Sequence, residues 1–355
     1  MIICRTPYRL SFFGGGTDYP AWYKENGGAV LTTTINRYCY ITCRFLPPFF
    51  SHKSRIVWSE IERVSDHTMI KHPVVREVLQ FLDLKKGLEI HHDGDLPARS
   101  GLGSSSAFTV GLLHALHALD GREISKMELA LLAIHLEQEI LKENVGVQDQ
   151  IQTAHGGFNR IDFMPDETFR VEPAMLAENR LRELEDHLLL FYTGVPRHSS
   201  EIAADQVSAI GSKTAELKQM HAMVDEGLSL LRGDGDIGDF GRLMHNSWEL
   251  KRTLSSKVAP AFVDDIYDRA RNAGALGGKV LGAGGGGFMA FFVRPDDHPK
   301  VLTALSELLV VPIEFEYLGT QIIFHDQPRY SRTAQAGATF HRYGSNGEEP
   351  KENKT

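Results

Sequence analysis

Three glycine-rich segments, spread over most of the chain, constrain its fold more than any other feature of the sequence. They are PYRLSFFGGGTDY at residues 7–19, PARSGLGSSSA at residues 97–107 and KVLGAGGGGF at residues 279–288. A single glycine run most often marks a tight turn or a close approach of the backbone. The middle run carries the most specific signal of the three, because serines and a predicted helix come directly after it.

GLGSSS in the middle segment directly precedes a predicted amphipathic helix at 105–119, whose apolar residues fall on one stripe. Glycines allow backbone N–H groups to turn inward, and the start of a helix carries partial positive charge. Residues 101–106 can therefore hold a polyphosphate. One serine here would be explained as a helix cap, but three in a row exceed what a cap requires. Their hydroxyls can bond phosphate oxygens or ligate Mg²⁺.

Three better-known signatures do not fit this sequence. A Walker A loop fails because Val280 follows Gly278-Lys279 and Ala273 occupies the first glycine position. The G-x-G-x-x-G match at 282–287 precedes FMAFFV, a strand pattern, whereas a dinucleotide site opens a helix. The DFG tripeptide at 239–241 lies in a predicted helix with no HRD loop before it, which indicates chance.

Length and charge limit the class of protein. At 355 residues the chain is expected to form two domains, and its 42% hydrophobic and 24% charged residues are typical of globular proteins. A formal charge of −8 argues against nucleic acid as a partner. The N-terminus does not resemble a signal peptide, no apolar run approaches about 20 residues, and three cysteines show no zinc or redox spacing. We expect a cytoplasmic protein without a membrane partner.

The order of predicted elements indicates an α+β architecture in each half. Strands are predicted at 38–44, 55–59 and 88–92, then helices at 105–119 and 129–140. A second series follows, with strands at 188–192, 278–281, 287–293 and 313–317, and helices near 199–220, 237–254, 260–272 and 299–309. We predict domains at 1–156 and 157–328, and a mobile tail at 329–355.

Together, the three segments resemble the three motifs of the GHMP kinases (galacto-, homoserine, mevalonate and phosphomevalonate kinases), over roughly residues 2–325. The resemblance implies an N-terminal domain like ribosomal protein S5 domain 2, a ferredoxin-like C-terminal domain and an active site between them. It also implies ATP and Mg²⁺ as cofactors and a small-molecule acceptor. The residues it assigns to the nucleotide are Gly101, Leu102, Gly103, Ser104, Ser105 and Ser106.

The first segment is similar to the sugar-kinase pattern P-x-R-x-x-x-x-G-E-H-T-D-Y, except that Gly15 and Gly16 replace the Glu and His. In galactokinases that Glu lies near the sugar's outer hydroxyl, so its loss makes room for a longer or phosphorylated sugar. With GVQDQ at 146–150 and AHGGF at 154–158, the chain resembles the heptose 7-phosphate kinases of bacterial surface-polysaccharide synthesis. The implied reaction phosphorylates the C1 hydroxyl of D-glycero-D-manno-heptose 7-phosphate, for nucleotide-activated heptose.

The resemblance also assigns roles to individual residues. Asp149 would accept or orient the proton of the attacking hydroxyl, with Arg9 beside it. Glu137 and Ser105 would ligate Mg²⁺, with Glu139 as an alternative to Glu137. The residues expected to contact the sugar or its phosphate are Gly15, Gly16, Thr17, Asp18, Arg197, Lys251 and Arg252.

Several alternatives remain open at this point. An anomeric kinase for fucose, galactose or an N-acetylhexosamine would carry the same motifs, and a non-catalytic sensor of sugar and nucleotide belongs to another class altogether. Lys279 could support the third glycine-rich segment or a phosphate. The sequence leaves the anomer, the nucleotide preference and a homo-oligomeric state undecided.

Overall fold

The structure is a computed structural model that describes residues 1–47, 49–98, 100–195 and 199–326, without the side chains of 199–201. The predicted tail at 329–355 and the predicted substrate ligand Arg197 lie outside the described residues.

Two β-sheets organise the described chain. The strands are β1 (Ile2–Phe13), β2 (Gly28–Phe45), β3 (Ser54–Val57), β4 (Ile61–Val64), β5 (Leu88–Gly94), β6 (Phe158–Phe163), β7 (Phe169–Pro173), β8 (Leu188–Tyr192), β9 (Ala275–Val280), β10 (Phe288–Val293), β11 (Leu309–Val310), β12 (Phe315–Glu316) and β13 (Gln321–His325). Nine of them form one sheet with the order β13-β1-β2-β5-β3-β4. Strands β6 and β12 pair with β2 in this sheet, and β7 pairs with β6. The other four form an antiparallel sheet with the order β11-β8-β10-β9.

The helices pack on these sheets. They are α1 (Pro20–Asn26), α2 (Pro73–Phe81), α3 (Ser104–Leu119), α4 (Lys126–His135), α5 (Gln148–His155), α6 (Glu178–Asp186), α7 (Ser199–Ala209), α8 (Thr214–Arg232), α9 (Gly238–Arg252), α10 (Ala261–Asn272) and α11 (His298–Ala304). A π-helical turn, Leu136–Ile140, extends α4. The combination of helices and sheets confirms the predicted α+β class.

The long strand β2 explains how the larger sheet is assembled. Because it spans 18 residues, its first part pairs with β6 and its last part with β5. Strands β12 and β13 also join this sheet, through β2 and β1. The larger sheet thus contains strands from both sides of residue 156. The domain boundary predicted at this residue remains a prediction.

Strand β1 is interrupted twice where it pairs with β2. The pairing shifts register between Pro7 and Tyr8, at a proline that has no N–H for the ladder, and again between Ser11 and Phe13. The second shift makes Phe12 the extra residue of a bulge. Bulges turn side chains away from the regular strand direction, and this one lies next to the first glycine-rich segment.

Helix α3 is buried on almost every side rather than along the single predicted stripe. It packs between β1 and β2 on one side and α4 and α5 on the other. At Gly111 an added Cβ would lie 2.8 Å from Oγ1 of Thr6 on β1, so the helix and the sheet approach closely. This contact holds the middle of α3 against the middle of β1.

The region predicted as helix near 199–220 holds two helices, α7 and α8, separated by a 3₁₀ turn at Ile210–Ser212. Gly211 lies in that turn, and glycine is a poor residue for a helix interior.

Aromatic rings join the two halves of the chain. Phe12 and Phe13 of β1 lie with ring centroids 5.3 and 5.0 Å from that of Phe240 on α9. Phe240 in turn lies 6.0 Å from Phe292 on β10. All four side chains are fully buried and belong to one core. The shared core holds the end of β1 against the second sheet and so shapes the cleft between them.

Within the described ranges, none of the helices combines the length and apolar character needed to span a bilayer.

Candidate active site

A cleft of about 430 Å³ lies where the three glycine-rich segments meet. The residues from these segments and from α5 that line it are Arg9, Ser11, Gly15, Gly16, Asp18, Tyr19, Gly101, Gly103, Ser104, Ser105, Ser106, Gln148, Asp149, Lys279, Gly282 and Ala283. Segments more than 250 positions apart in the sequence therefore form one cavity.

The middle segment presents a helix N-terminus to this cleft. Gly101 and Gly103 have φ values of 93° and 73°, and α3 begins at Ser104. Gly103 is the N-cap and has no side chain that could bond the first N–H groups of the helix. The carbonyl of the buried Leu102 accepts the backbone N–H of Arg9 at 2.9 Å, which ties the loop to β1. The glycine conformations and the helix dipole make this loop suitable for an anion.

Arg9 and Asp149 form a bidentate ion pair in the cleft. Nε and Nη2 of Arg9 donate to the two carboxylate oxygens of Asp149, both at 2.7 Å. Nη1 donates to the carbonyl oxygen of Gly101 at 2.6 Å. Arg9 is buried, whereas the Asp149 side chain is 24% exposed. The guanidinium thus holds the carboxylate in one orientation and leaves it accessible from the cleft.

Three consecutive residues in the first turn of α5 connect to three acidic groups of the site: Asp149 is one of them, and its two neighbours bond the other two. Asp149 pairs with the arginine, while Nε2 of Gln148 donates to Asp18 at 2.9 Å and Nε2 of Gln150 donates to Glu137 at 2.5 Å. Neither glutamine was predicted from the sequence. Their position on both sides of Asp149 in one helical turn is the signal that could have indicated them.

Asp18 is buried at the cleft wall, and Oδ1 accepts the backbone N–H of Gly16 at 3.0 Å. Burial raises the pKa of this carboxyl, and the negative charge of Asp149 adds to the effect. A Cβ at Gly146 would lie 1.9 Å from Oδ2 of Asp18, so only glycine fits behind the carboxylate. Asp18 is thus fixed in place, with oxygens suited to sugar hydroxyls.

Glu137 lies in the π-helical turn, a local distortion often found at functional sites. It is fully buried, and burial raises its pKa to about 7. Oε2 accepts the Ser106 hydroxyl at 2.9 Å, while Oε1 has no hydrogen-bond donor within 3.5 Å among the described residues. The serine that bonds this carboxylate is Ser106, whereas Ser105, which was predicted to ligate Mg²⁺ with Glu137, is exposed. The alternative, Glu139, is exposed and pairs with Lys142 at 3.1 Å.

These oxygens fit a magnesium ion held mainly by nucleotide phosphates. One buried carboxylate oxygen of Glu137 has no close hydrogen-bond donor in the described part of the chain, and the other meets a serine hydroxyl of the phosphate loop. Such oxygens match the ligands that Mg²⁺ prefers. Across the described part of the chain, no cluster of three or more His, Cys, Asp or Glu side chains could hold a metal by itself. The donor set therefore suits an ion that arrives with its phosphates.

The third glycine-rich segment abuts the middle one. The backbone N–H of Phe288 donates to the carbonyl of Ser100 at 3.1 Å, and a Cβ at Gly287 would lie 2.4 Å from that same oxygen. Lys251 of α9 donates to the carbonyls of Val280 and Gly282. This backbone packing supports the middle loop from behind.

The predicted substrate ligands are only partly brought together. Gly15, Gly16, Asp18 and Lys251 line the cleft. Thr17 instead is buried, and its hydroxyl lies within hydrogen-bond distance of the carbonyl oxygens of Gly14 and Ala29, so it stabilises the turn.

Arg252 is placed away from the cleft lining. Its guanidinium lies 3.0 Å from Glu249 and 3.0 Å from Asp264, on the outer side of α9. Consecutive helix residues point about 100° apart, and Lys251 lies on the side of α9 that lines the cleft whereas Arg252 does not. Lys251 therefore lines the cleft as predicted for a substrate ligand, whereas Arg252 does not.

Gly15 opens directly onto the cavity. A Cβ added to it would meet nothing within 4 Å, and its φ is not in the left-handed region. A residue with a long side chain at this position would project into free space, and glycine leaves that space to a ligand.

Comparison with known proteins shows that two parts of the chain match family models. Residues 69–157 match the GHMP kinases N terminal domain, and residues 227–311 match the GHMP kinases C terminal model. A D-glycero-alpha-D-manno-heptose 7-phosphate kinase from Campylobacter jejuni is 29% identical over 317 residues, which cover 85% of this chain and 92% of that protein.

Two further similarities also span most of this chain. An L-fucokinase/L-fucose-1-P guanylyltransferase from Bacteroides fragilis is 27% identical over 342 residues, covering 84% of this chain but 35% of that longer protein. A crystal structure described as a D-glycero-D-manno-heptose 1-phosphate kinase from Bacteroides thetaiotaomicron superposes with a TM-score of 0.74 at 27% identity. That superposition covers 92% of this chain and all of the other.

Proposed function

Because the chain belongs to the GHMP kinases, we propose that it transfers the γ-phosphoryl group of ATP to the C1 hydroxyl of D-glycero-D-manno-heptose 7-phosphate. The predicted family is confirmed, and the chain is a sugar kinase. The heptose substrate, the 1,7-bisphosphate product and a role in surface-polysaccharide synthesis are the proposal. Its main support is the position of the Arg9–Asp149 pair beside the loop of residues 101–106.

The loop and the N-terminus of α3 would hold the triphosphate. Phosphoryl transfer requires mainly alignment and neutralisation of charge on the moving group. Backbone N–H groups of the loop and the dipole of a 16-residue helix supply both, without a lysine in the loop itself.

Asp149 would orient the attacking C1 hydroxyl. A carboxylate already paired with arginine is a weak base, but a loose transition state asks the base chiefly to direct the hydroxyl and to accept its proton late. The bidentate contact prevents rotation of the carboxylate, so the hydroxyl would approach from the exposed side. Arg9 would also balance negative charge as the phosphoryl group arrives.

Glu137 and Ser106 are the residues that would hold Mg²⁺. The ion would supply charge neutralisation across the β and γ phosphates. Gln150 keeps the Glu137 carboxylate turned toward the serine, and the raised pKa of Glu137 would fall beside a cation.

Gly15 and the cleft lysines support a sugar phosphate as acceptor. Open space at Gly15 accommodates a substrate longer than a hexose. Lys142 and Lys251 are among the cations that line the cleft, and their positive charge can attract a second phosphate. The 29% identity with a protein described as a heptose 7-phosphate kinase agrees with this choice.

A substrate panel tests the proposal. The protein is incubated with Mg-ATP and one of five sugars: heptose 7-phosphate, heptose, fucose, galactose or an N-acetylhexosamine. ADP release measures turnover, and phosphorus NMR of the sugar product identifies the phosphorylated position. We expect turnover with heptose 7-phosphate and a new phosphate at C1. Turnover confined to unphosphorylated sugars would reject the heptose substrate.

Gly15→Glu restores the residue of the galactokinase pattern and isolates the substrate end of the cleft. Repulsion and lost space should raise KM for the sugar phosphate at least about tenfold and leave KM for ATP within about twofold. Gly235→Glu is the matched control, because Gly235 also has open space for a Cβ and does not line the cleft.

A fucose kinase is the second candidate, favoured by the 27% identity with the fucokinase relative over 84% of this chain. Fucose has no group to pair with the cleft lysines, so a preference for fucose over heptose 7-phosphate in the panel would select it.

A further inference from the structure

Lys279 reaches from the second sheet to the first. It lies on β9, where it pairs with Ala290 of β10, and its side chain is only 3% exposed. Nζ donates to the carbonyl oxygen of Phe12 at 2.8 Å, the sole acceptor at hydrogen-bond distance among the residues described. An ammonium group has three donors, so two remain without a protein acceptor. The residue lines the cleft, which is where those donors can find a ligand.

Ser11 provides a second unsatisfied group at the same place. Its hydroxyl is buried at 5% exposure, has no hydrogen-bond partner among the described residues and lines the cleft. It neighbours Phe12, the bulge residue whose carbonyl holds Lys279. Leaving a buried hydroxyl unpaired is unfavourable, so its presence on the cleft wall indicates a ligand with an acceptor oxygen.

Other cations near this point are already engaged. Arg9 uses Nε, Nη1 and Nη2 for Asp149 and Gly101, and Lys251 donates to the backbone of the third glycine-rich segment. Lys279 therefore differs from its neighbours in having donors to spare inside the cleft.

Charge around Lys279 makes its protonation depend on what occupies the cleft. Burial lowers its pKa to about 7, the positive charge of Arg9 adds to the shift, and Asp18 opposes it. The charged side chains that line the same cleft are Arg9, Asp18, Lys142, Glu143, Asp149 and Lys251. A polyanion entering the cleft would favour the protonated ammonium.

We propose that Lys279, with the Ser11 hydroxyl, binds the phosphoryl group that is being transferred. This inference rests on the proposed kinase reaction but not on which sugar accepts the phosphate. Charge in the transition state lies on the equatorial oxygens of that group, and two free ammonium donors beside the Arg9–Asp149 pair would meet them. Lys279 thereby contributes a residue of the second sheet to a reaction centre built mainly on the first.

Nucleotide binding tests the proposal without any sugar. Calorimetric titrations compare Mg-ADP with the Mg complex of a non-hydrolysable ATP analogue, for the natural protein and for Lys279→Met. We expect the variant to bind the ATP analogue about 10- to 100-fold more weakly and ADP within about twofold, as expected for one lost charged hydrogen bond. Ser11→Ala, which removes only an unpartnered hydroxyl, should weaken the analogue alone by a smaller factor.

Three outcomes would overturn the proposal. Equal losses for ADP and the analogue would make Lys279 a structural link between β9 and β1. Unchanged binding of both would exclude contact with the phosphoryl group. If the substitution weakened only the binding of a sugar phosphate, Lys279 would be a ligand of the sugar phosphate and not of the transferred phosphoryl group. None of these results depends on heptose turnover, so failure of the heptose assignment would be seen separately in the substrate panel.

Proton uptake provides a second measurement that keeps the test informative if Lys279→Met does not fold. Titrations of the natural protein at pH 8, in buffers of different ionisation enthalpy, should show more proton uptake with the ATP analogue than with ADP, and little difference at pH 6, where the lysine is already charged. Equal uptake for both nucleotides at pH 8 would contradict the proposal.

Discussion

Arg9 and Asp149 are 140 positions apart in the sequence and meet through two parallel hydrogen bonds of 2.7 Å. The pair joins the end of β1 to the first turn of α5, directly beneath the loop that begins α3. Because the arginine is buried and the carboxylate is not, the pair has one face inside the protein and one in the cleft.

Asp149→Asn should retain nucleotide binding and lose turnover by about 10²–10⁴-fold, because the amide keeps the shape but cannot accept the hydroxyl proton. Steady-state kinetics and a nucleotide titration measure the two effects. Asp225→Asn, at an exposed position outside the cleft lining, is the control and should keep full activity. Unchanged turnover in Asp149→Asn would exclude this residue as the base. A natural protein that binds both ligands without turnover would instead be a sensor.

Glu137 should make the free energy of unfolding depend on pH. Its pKa is about 7 in the folded protein and near 4.5 when unfolded, so the folded state binds more protons between those values. Stability from this group is present below about pH 4.5 and is lost as pH rises to about 7, a change of about 3 kcal/mol.

Glu137→Gln removes that titration. Urea unfolding at pH 5 and pH 8 should therefore show the variant gaining stability relative to the natural protein at the higher pH. Glu139→Gln, at an exposed neighbouring position, should show no such gain. Parallel pH profiles for the natural protein and Glu137→Gln would argue against a raised pKa.

Gln148→Leu should weaken sugar binding through Asp18. Loss of the 2.9 Å hydrogen bond leaves one carboxylate oxygen of the buried Asp18 without its donor and frees it to turn from the cleft. We expect KM for the sugar to rise about tenfold while KM for ATP stays within about twofold. Gln219→Leu on the exposed side of α8 serves as the control. A rise in both KM values would point to general loosening of the site.

Gly103→Ala and Gly121→Ala separate backbone strain from crowding of the site. The two glycines have nearly equal φ values, 73° and 72°, so alanine should cost either one about 1 kcal/mol of stability. A Cβ at Gly103 would also lie 3.0 Å from Cγ of Arg9 and 3.4 Å from Oδ2 of Asp149, whereas at Gly121 it meets nothing within 4 Å. Only Gly103→Ala should lower kcat. Equal kinetics for both variants would show that the Arg9–Asp149 pair tolerates the added methyl group.

Local patterns predicted the parts of the fold that depend on neighbouring residues. The loop at 101–106 and the start of α3, and the strand Leu188–Tyr192, follow from glycine conformations, helix ends and β-branched or aromatic runs. In contrast, the sequence pattern does not predict β1, because its proline and polar residues are untypical of a strand. Pairing with β2 and β13 stabilises the strand in the structure.

The sequence by itself determined the family, the fold class and the three segments that form the cleft. Only the tertiary structure decided that Ser106 rather than Ser105 meets Glu137, that Gln148 and Gln150 hold the two flanking carboxylates, and that Arg252 faces away. The reason is physical: a turn or a helix end depends on residues a few positions apart. The partner of a buried charge depends instead on which distant elements pack together and on the one side of each element that then faces the cleft.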